Sequence, residues 1–510
     1  MSLGVRGLLT LLPVTITVCF LWATEIPLGI SGEWTWSRLG YAQQSLFVMA
    51  PGLLMLFVVG LMYLWISVRG LDRSRERYGP HLALLFGLGL AWSILLQWSG
   101  PQVPSDLKPL LVTKDRGASG YFEEARRIRD FPAFLAGYNQ WIEDGETAQR
   151  VLHQGTHPPG LIMIHRGMQG LMATYPSLQS IVLVTLPNSI YEAFRSIIPE
   201  YGRTTAQSLL AALWAVFLTT QVAAILPMVL LFIVLRQIAS QRTAWIAAAI
   251  WPLVPAIHVF VPKSDVLFPL ITMLAVCGLV QGRQGRTCSG GILMGLSAWF
   301  GMVLSLAFAA VLCLLISVVL IMKIRTSQSG KHGISIGWTD CTIAAETYVL
   351  ATLLFAWATG INLIETWRLN WMNHAGFYDQ FQRTYRLWLP VNLVELGFAI
   401  GLPLFAGVIC WGMSARSNVA RSESVPTALS LGWILTWLLL WVSGKNMGEA
   451  ARLWIFLMPL MSLTVAVWLG REQTQRFSNR DILLVLSAQM LCCAVTVLRV
   501  SGFEFLQWTQ

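Results

Sequence analysis

The chain has 510 residues, of which 55% are hydrophobic and only 12% charged. Soluble domains carry about 25% charged residues, so this composition excludes an ordinary water-soluble enzyme and points to an all-α polytopic membrane protein. The formal charge of +10 is not a nucleic-acid signal, since no solvated basic domain carries it; a Lys/Arg excess in short cytoplasmic loops accounts for it.

A membrane-crossing helix needs roughly 20 apolar residues, and about thirteen stretches approach that length. They fall near 7–25, 45–68, 80–98, 207–235, 243–261, 266–281, 289–303, 304–322, 342–362, 392–412, 427–443, 453–470 and 482–498. The stretches 289–303 and 304–322 fit two short helices or one long helix with a half-helix. The first stretch follows Arg6 and resembles a signal sequence, but no small-residue cleavage site follows cleanly, so it is read as a retained helix.

Basic residues occur in alternate loops: Arg69, Arg73, Arg75 and Arg77, then Arg236 and Arg242, then Arg283 and Arg286. Lys323, Arg325 and Lys331, then Arg416 and Arg421, then Arg471, Arg476 and Arg480 continue the series. With thirteen crossings these lie on one side, which the positive-inside rule makes cytoplasmic together with the N-terminus. Residues 99–206, Pro262 to Asp265, 363–391 and Lys445 to Glu449 then all face the opposite compartment. The expected organisation is two N-terminal helices over 1–79, a main module over 80–470 containing the large outer loop 99–206, and a last helix with a short tail over 471–510. No repeat, low-complexity tract or soluble domain interrupts this, and 326–340 reads as a polar linker. Residues 176–206 read as short pieces lying on the membrane. The eight cysteines lie in apolar segments or at their cytoplasmic ends, with neither a disulfide framework nor metal-ligand spacing.

The polar chemistry collects in the outer stretches. Over Tyr121 to Asp130, Tyr121, Ala125 and Ile128 share one helical face, with Glu123, Glu124, Arg126, Arg127 and Arg129 around the rest. This gives an amphipathic helix that either supplies a catalytic acid or only makes local ion pairs. In Thr156-His157-Pro158-Pro159-Gly160 two prolines forbid helix, so the chain turns rigidly before a helix begins at Gly160. His157 then stands at a helix N-terminus, where donors suit a phosphate, or it is a plain surface histidine. Lys263 and Asp265 lie in a tight connection between two apolar helices, where charge is costly unless paired or used; the plain reading pairs them with each other. In Lys445 to Trp454, Glu449 and Arg452 are i,i+3 neighbours that either make a plain local ion pair or leave Arg452, at the membrane end of its helix, to snorkel or to clamp a phosphate. Residues 367–388 mix aromatic and basic side chains, as a lid or an aromatic belt does. Glu346 and Glu395 are intramembrane acids expected to be paired structurally.

These pieces in this order resemble the GT-C class of integral-membrane glycosyltransferases, which includes the protein O-mannosyltransferases and the lipid A aminoarabinose transferase. Gly120-Tyr121-Phe122-Glu123-Glu124-Ala125-Arg126 looks like the acid-bearing juxtamembrane helix, and His157-Pro158-Pro159-Gly160 like the Pro-Pro turn after it. Ser264-Asp265-Val266-Leu267-Phe268 is similar to the short outer loop with an Asp before a helix, and Gly448-Glu449-Ala450-Ala451-Arg452-Leu453-Trp454 to the Gly-Glu…Arg motif. The chain departs from the class in having Ala118 and Ser119 where an acid precedes the tyrosine. The resemblance implies a GT-C-like bundle with juxtamembrane helices in its large outer loop, and a bacterial inner-membrane location. It also implies an inverting transfer from a polyprenyl-phosphate-sugar donor to a lipid, glycan or protein acceptor, without nucleotide. Catalytic acids are then sought in Asp115, Glu123 and Glu124, with Asp115 favoured as base. Tyr121, His157, Lys263, Asp265, Lys445, Glu449 and Arg452 are the expected substrate-binding set. No cofactor is expected; the resemblance admits a divalent metal, which some members of the class use, but the sequence offers no convincing ligand set for one. A transporter or lipid flippase, and a non-catalytic relative of the class, are the alternatives.

Overall fold

Long runs of Leu, Val, Ile, Phe and Ala satisfy their own backbone only as helices once water is gone, and the computed structural model is built that way. It describes residues 3–41, 46–72, 78–101, 108–114, 118–145, 152–197, 203–329, 338–418, 424–470 and 477–503. Ten helices are long and apolar enough to cross a bilayer: Gly4–Ala23, Met49–Arg69, Tyr78–Trp98, Gln207–Ile238, Ser264–Arg283, Thr287–Leu304, Phe308–Arg325, Trp338–Thr359, Val425–Val442 and Asn479–Arg499. Leu54, Phe57 and Trp65 on one, and Leu353, Leu354 and Trp357 on another, turn more than half their surface outward. Such apolar faces suit lipid rather than water. The chain is a polytopic integral membrane protein.

The sequence led to thirteen crossings, and the difference lies in three broken stretches. Residues 243–261 form Gln241–Ile250, a turn Trp251–Leu253 and Pro255–Val259, because Pro252 and Pro255 each remove a backbone donor. Residues 392–412 become Tyr385–Ile400 and a second helix bent by 113° about Gly401, whose φ is +92°. Residues 453–470 start as two short turns before Met458–Leu469. Counting the bent pair as one span gives eleven. The open question at 289–322 is answered by two helices, parted at Ser305.

Small residues set the closest helix contacts, as is usual where lipid gives no hydrophobic drive to associate. A Cβ on Gly278 would fall 2.6 Å from the Gly290 carbonyl oxygen and from Met294 N, so Phe268–Arg283 and Thr287–Leu304 touch backbone to backbone. Gly278→Val is expected to cost about 1–3 kcal/mol through overpacking, read as a lower melting temperature of the detergent-solubilised protein. An unchanged melt would contradict this packing.

These contacts also fix which helix ends lie together. Gly282 abuts Asp340 and Gly70 abuts Trp245, at the ends that carry the arginine-rich short loops. Trp367 donates to the Met302 carbonyl and His157 faces that of Leu304, so the other end gathers the pieces that the sequence reading assigns to the outer side. Those pieces are short helices: Lys108–Lys114, Tyr121–Arg127, Phe131–Ala136, Tyr138–Asp144, Gly160–Thr174, Pro176–Val184 and Asn188–Ile197. Residues 363–380, read from sequence as loop, form the helix Leu363–Gln380.

Candidate functional site

Arg452 is the centre of a buried ionic cluster at that end. Gly448 and Glu449 both have left-handed φ, +79° and +56°. For Glu449 this costs roughly 1–2 kcal/mol, a strain kept only where the surroundings enforce it. The turn brings the Glu449 carboxylate back onto Arg452 at 2.5 Å. The other arm of the same guanidinium reaches Asp265, 3.4 Å away and 187 positions distant in the chain. Arg452 therefore bridges two carboxylates with side-chain exposure of only 13%. Burial works against its charge, and Glu449 and Asp265 outweigh that and raise its pKa. Burial likewise pushes the Glu449 carboxyl up, but Arg452 and Lys263 hold it below the usual carboxylate range.

Lys263 is the cation left over. The sequence suggested a local pair with Asp265; instead Asp265 turns to Arg452, and the Lys263 ammonium has no hydrogen bond or ion pair among the described residues. Burial and the nearby Arg452 push its pKa down to about 8, with Asp265 and Glu449 opposing. Tyr121 and His157 complete the group. Both are within electrostatic reach of Asp265 and Arg452, and their rings meet edge-on with centroids 5.7 Å apart. Burial raises the Tyr121 pKa well above its ordinary value. It pushes His157 down to about 4, so the imidazole is neutral and serves as a hydrogen-bonding group rather than a cation.

The remaining sequence candidates are placed differently. Glu123 is locked to Arg126 and lies 3.6 Å from Arg127, the local ion pairing that was the plain reading. Glu124 is buried on the same helix. Lys445 sits at the margin, its ammonium 5.3 Å from the Trp371 ring centroid. Asp115 lies outside the described residues. The helix start at Gly160 is as expected, but it is packed against the end of Thr287–Leu304: a Cβ on Gly160 would fall 2.5 Å from the Val303 carbonyl oxygen.

The supports were mostly invisible in the sequence. Asn370 donates to the carbonyls of Gly155 (2.7 Å) and His157 (3.1 Å), and Tyr138 to His157 at 2.9 Å, which holds the Pro-Pro turn. Tyr378 donates to the Lys445 carbonyl and accepts from Met447 N. Glu395, fully buried, accepts from Trp36 Nε1 at 2.7 Å and from Ala450 N at 3.0 Å. That is the structural pairing expected of it, whereas Glu346 is exposed on its helix. Glu33, in the hairpin Gly29–Thr35, accepts from Thr384 N and Trp388 Nε1 and pins that hairpin beside the site. For Glu395 the sequence marked the acid but not its two donors, which come from distant segments of the chain.

No protein-family model, no curated protein and no solved structure matches the chain.

Proposed function

We infer that the chain is an inverting membrane glycosyltransferase that moves a sugar from a polyprenyl-phosphate donor to a hydroxyl acceptor on the outer side of the bacterial inner membrane. One observation carries this reading: Lys263, an ammonium without a hydrogen bond or ion pair among the described residues, in the same cluster as an arginine that already holds two carboxylates, at the end of the bundle away from the arginine-rich loops. Lys263 and Arg452 suit the phosphate and the charge that grows on it as the anomeric bond breaks. The acceptor proton goes to a carboxylate. Of the two carboxylates already in the cluster, Asp265 and Glu449, we assign the proton to Asp265; Asp115 and Glu124 are the alternatives from the class resemblance. Counting the three broken stretches as crossings keeps the thirteen-span topology and a cytoplasmic N-terminus. A transporter or flippase is the second reading, favoured by the 113° break at Gly401.

The test reconstitutes the protein in vesicles with a panel of polyprenyl-phosphate-linked sugars. Acceptor-dependent release of polyprenyl phosphate supports transfer; lipid movement across the bilayer without any release sinks it. Donor binding should also weaken as pH rises through about 8, where Lys263 loses its charge. Stability moves the other way. The folded pKa lies below the unfolded value of 10.5, so across that window the unfolded chain holds more protons and this group's contribution to stability rises with pH. Lys263→Met should remove the pH dependence along with most of the affinity.

A further inference from the structure

Next to the cluster runs a small groove of about 50 Å³ with apolar walls that include Leu161, Ile164, Met168, Val216 and Leu267. Thr113 and His165 also line it. Both are more than nine-tenths buried, and neither Thr113 Oγ1 nor His165 Nδ1 finds a hydrogen-bond partner among the described residues. Two orphaned polar groups in an apolar channel are costly unless a ligand brings polar atoms to that depth. Burial pushes the His165 pKa down to about 4, so the ring is neutral and supplies one donor and one acceptor.

The backbone that bounds the groove also builds the ionic cluster. Pro262 and Ser264 line the groove, and Lys263, between them in the chain, belongs to the ionic cluster. Ser119 lines the groove two residues before Tyr121. The groove and the cluster thus share the backbone segment 262–264 and the approach to Tyr121.

A polyprenyl chain has no heteroatom beyond its phosphate, so it leaves Thr113 and His165 unsatisfied. We propose that the groove holds the acceptor rather than the donor tail, and that the acceptor is an acyl glycerol, whose ester carbonyls bond Thr113 and His165 while its free hydroxyl reaches the cluster. This rests on the glycosyl-transfer reading. The hydroxyl oxygen bonds the anomeric carbon, the bond from that carbon to the phosphate oxygen breaks with its electron pair leaving on the phosphate, and the hydroxyl proton passes to Asp265.

The experiment measures displacement of a pyrene-labelled diacylglycerol from the full-length protein in detergent. Diacylglycerol should displace it about tenfold better than the dialkyl ether analogue, which lacks the carbonyl acceptors. Thr113→Val and His165→Phe should each shrink that ratio, and Thr113→Val should leave melting unchanged or higher, since it removes an unbonded hydroxyl. Equal displacement by ester and ether, or displacement by polyprenyl phosphate as effective as by diacylglycerol, overturns the proposal. Lys263→Met separates the two claims: it should abolish polyprenyl-phosphate binding and spare diacylglycerol. Failure of that arm alone counts against the donor site and not against the groove.

Discussion

Arg452→Met is expected to abolish donor binding and to lower stability more than any other single change in the cluster. The guanidinium holds Asp265 with one arm and Glu449 with the other while almost buried. Removing it strands two carboxylates side by side, and loss of one partner from a buried ion pair costs about 3–5 kcal/mol. Activity loss alone is therefore ambiguous, because an unstable protein also loses activity. The double variant Arg452→Met with Asp265→Asn removes one stranded charge and should recover much of the melting temperature without recovering binding of polyprenyl phosphate. Arg452→Lys keeps the charge but cannot span both carboxylates with a planar fork, so it should fall between. Recovery of binding together with stability in the double variant would make Arg452 a structural brace only.

The bundle was legible in the sequence because hydrocarbon leaves few alternatives to helix. Ten of the expected crossings are continuous, and their ends lie near where composition put them. Where it failed, at Pro252, Pro255 and Gly401, apolar content measured burial and said nothing about continuity. Six expected substrate-binding residues meet: Tyr121, His157, Lys263, Asp265, Glu449 and Arg452. Their coming together was readable from cost alone, because separate charges so near lipid have to find partners. The pairing itself was not readable. Spacing favours Lys263 with Asp265, yet a guanidinium presents five donors in a planar fork suited to holding two acids at once, which a compact ammonium lacks. Glu123 followed the opposite course, since Arg126 and Arg127 lie one helical turn away and satisfy it locally. The hairpin carrying Glu33 and Trp36 gave no hint of its role, because short strands of mixed polarity look like any linker.

The second large effect is expected at Glu395, which never touches the proposed substrate. Its two oxygens accept from Trp36 Nε1 and from Ala450 N, and Ala450 follows the strained Glu449 that sets the Arg452 contact. Glu395 is thus a positioning residue. A glutamine offers one oxygen and one NH₂ group, so Glu395→Gln must face one donor with another; the buried mismatch costs about 1–3 kcal/mol. If the turn holding Glu449 loosens, affinity for polyprenyl phosphate should fall at least tenfold, about 1.4 kcal/mol, with a smaller change in turnover. Trp36→Phe removes one donor and leaves Ala450 bonded, so alone it should cost stability but little affinity. Added to Glu395→Gln it removes the mismatch, lets the amide oxygen serve Ala450, and should restore affinity towards the wild-type value. Such a gain from combining two damaging substitutions is non-additive by design. A double variant weaker in binding than Glu395→Gln alone would show that Glu395 acts only through the general packing of its helix.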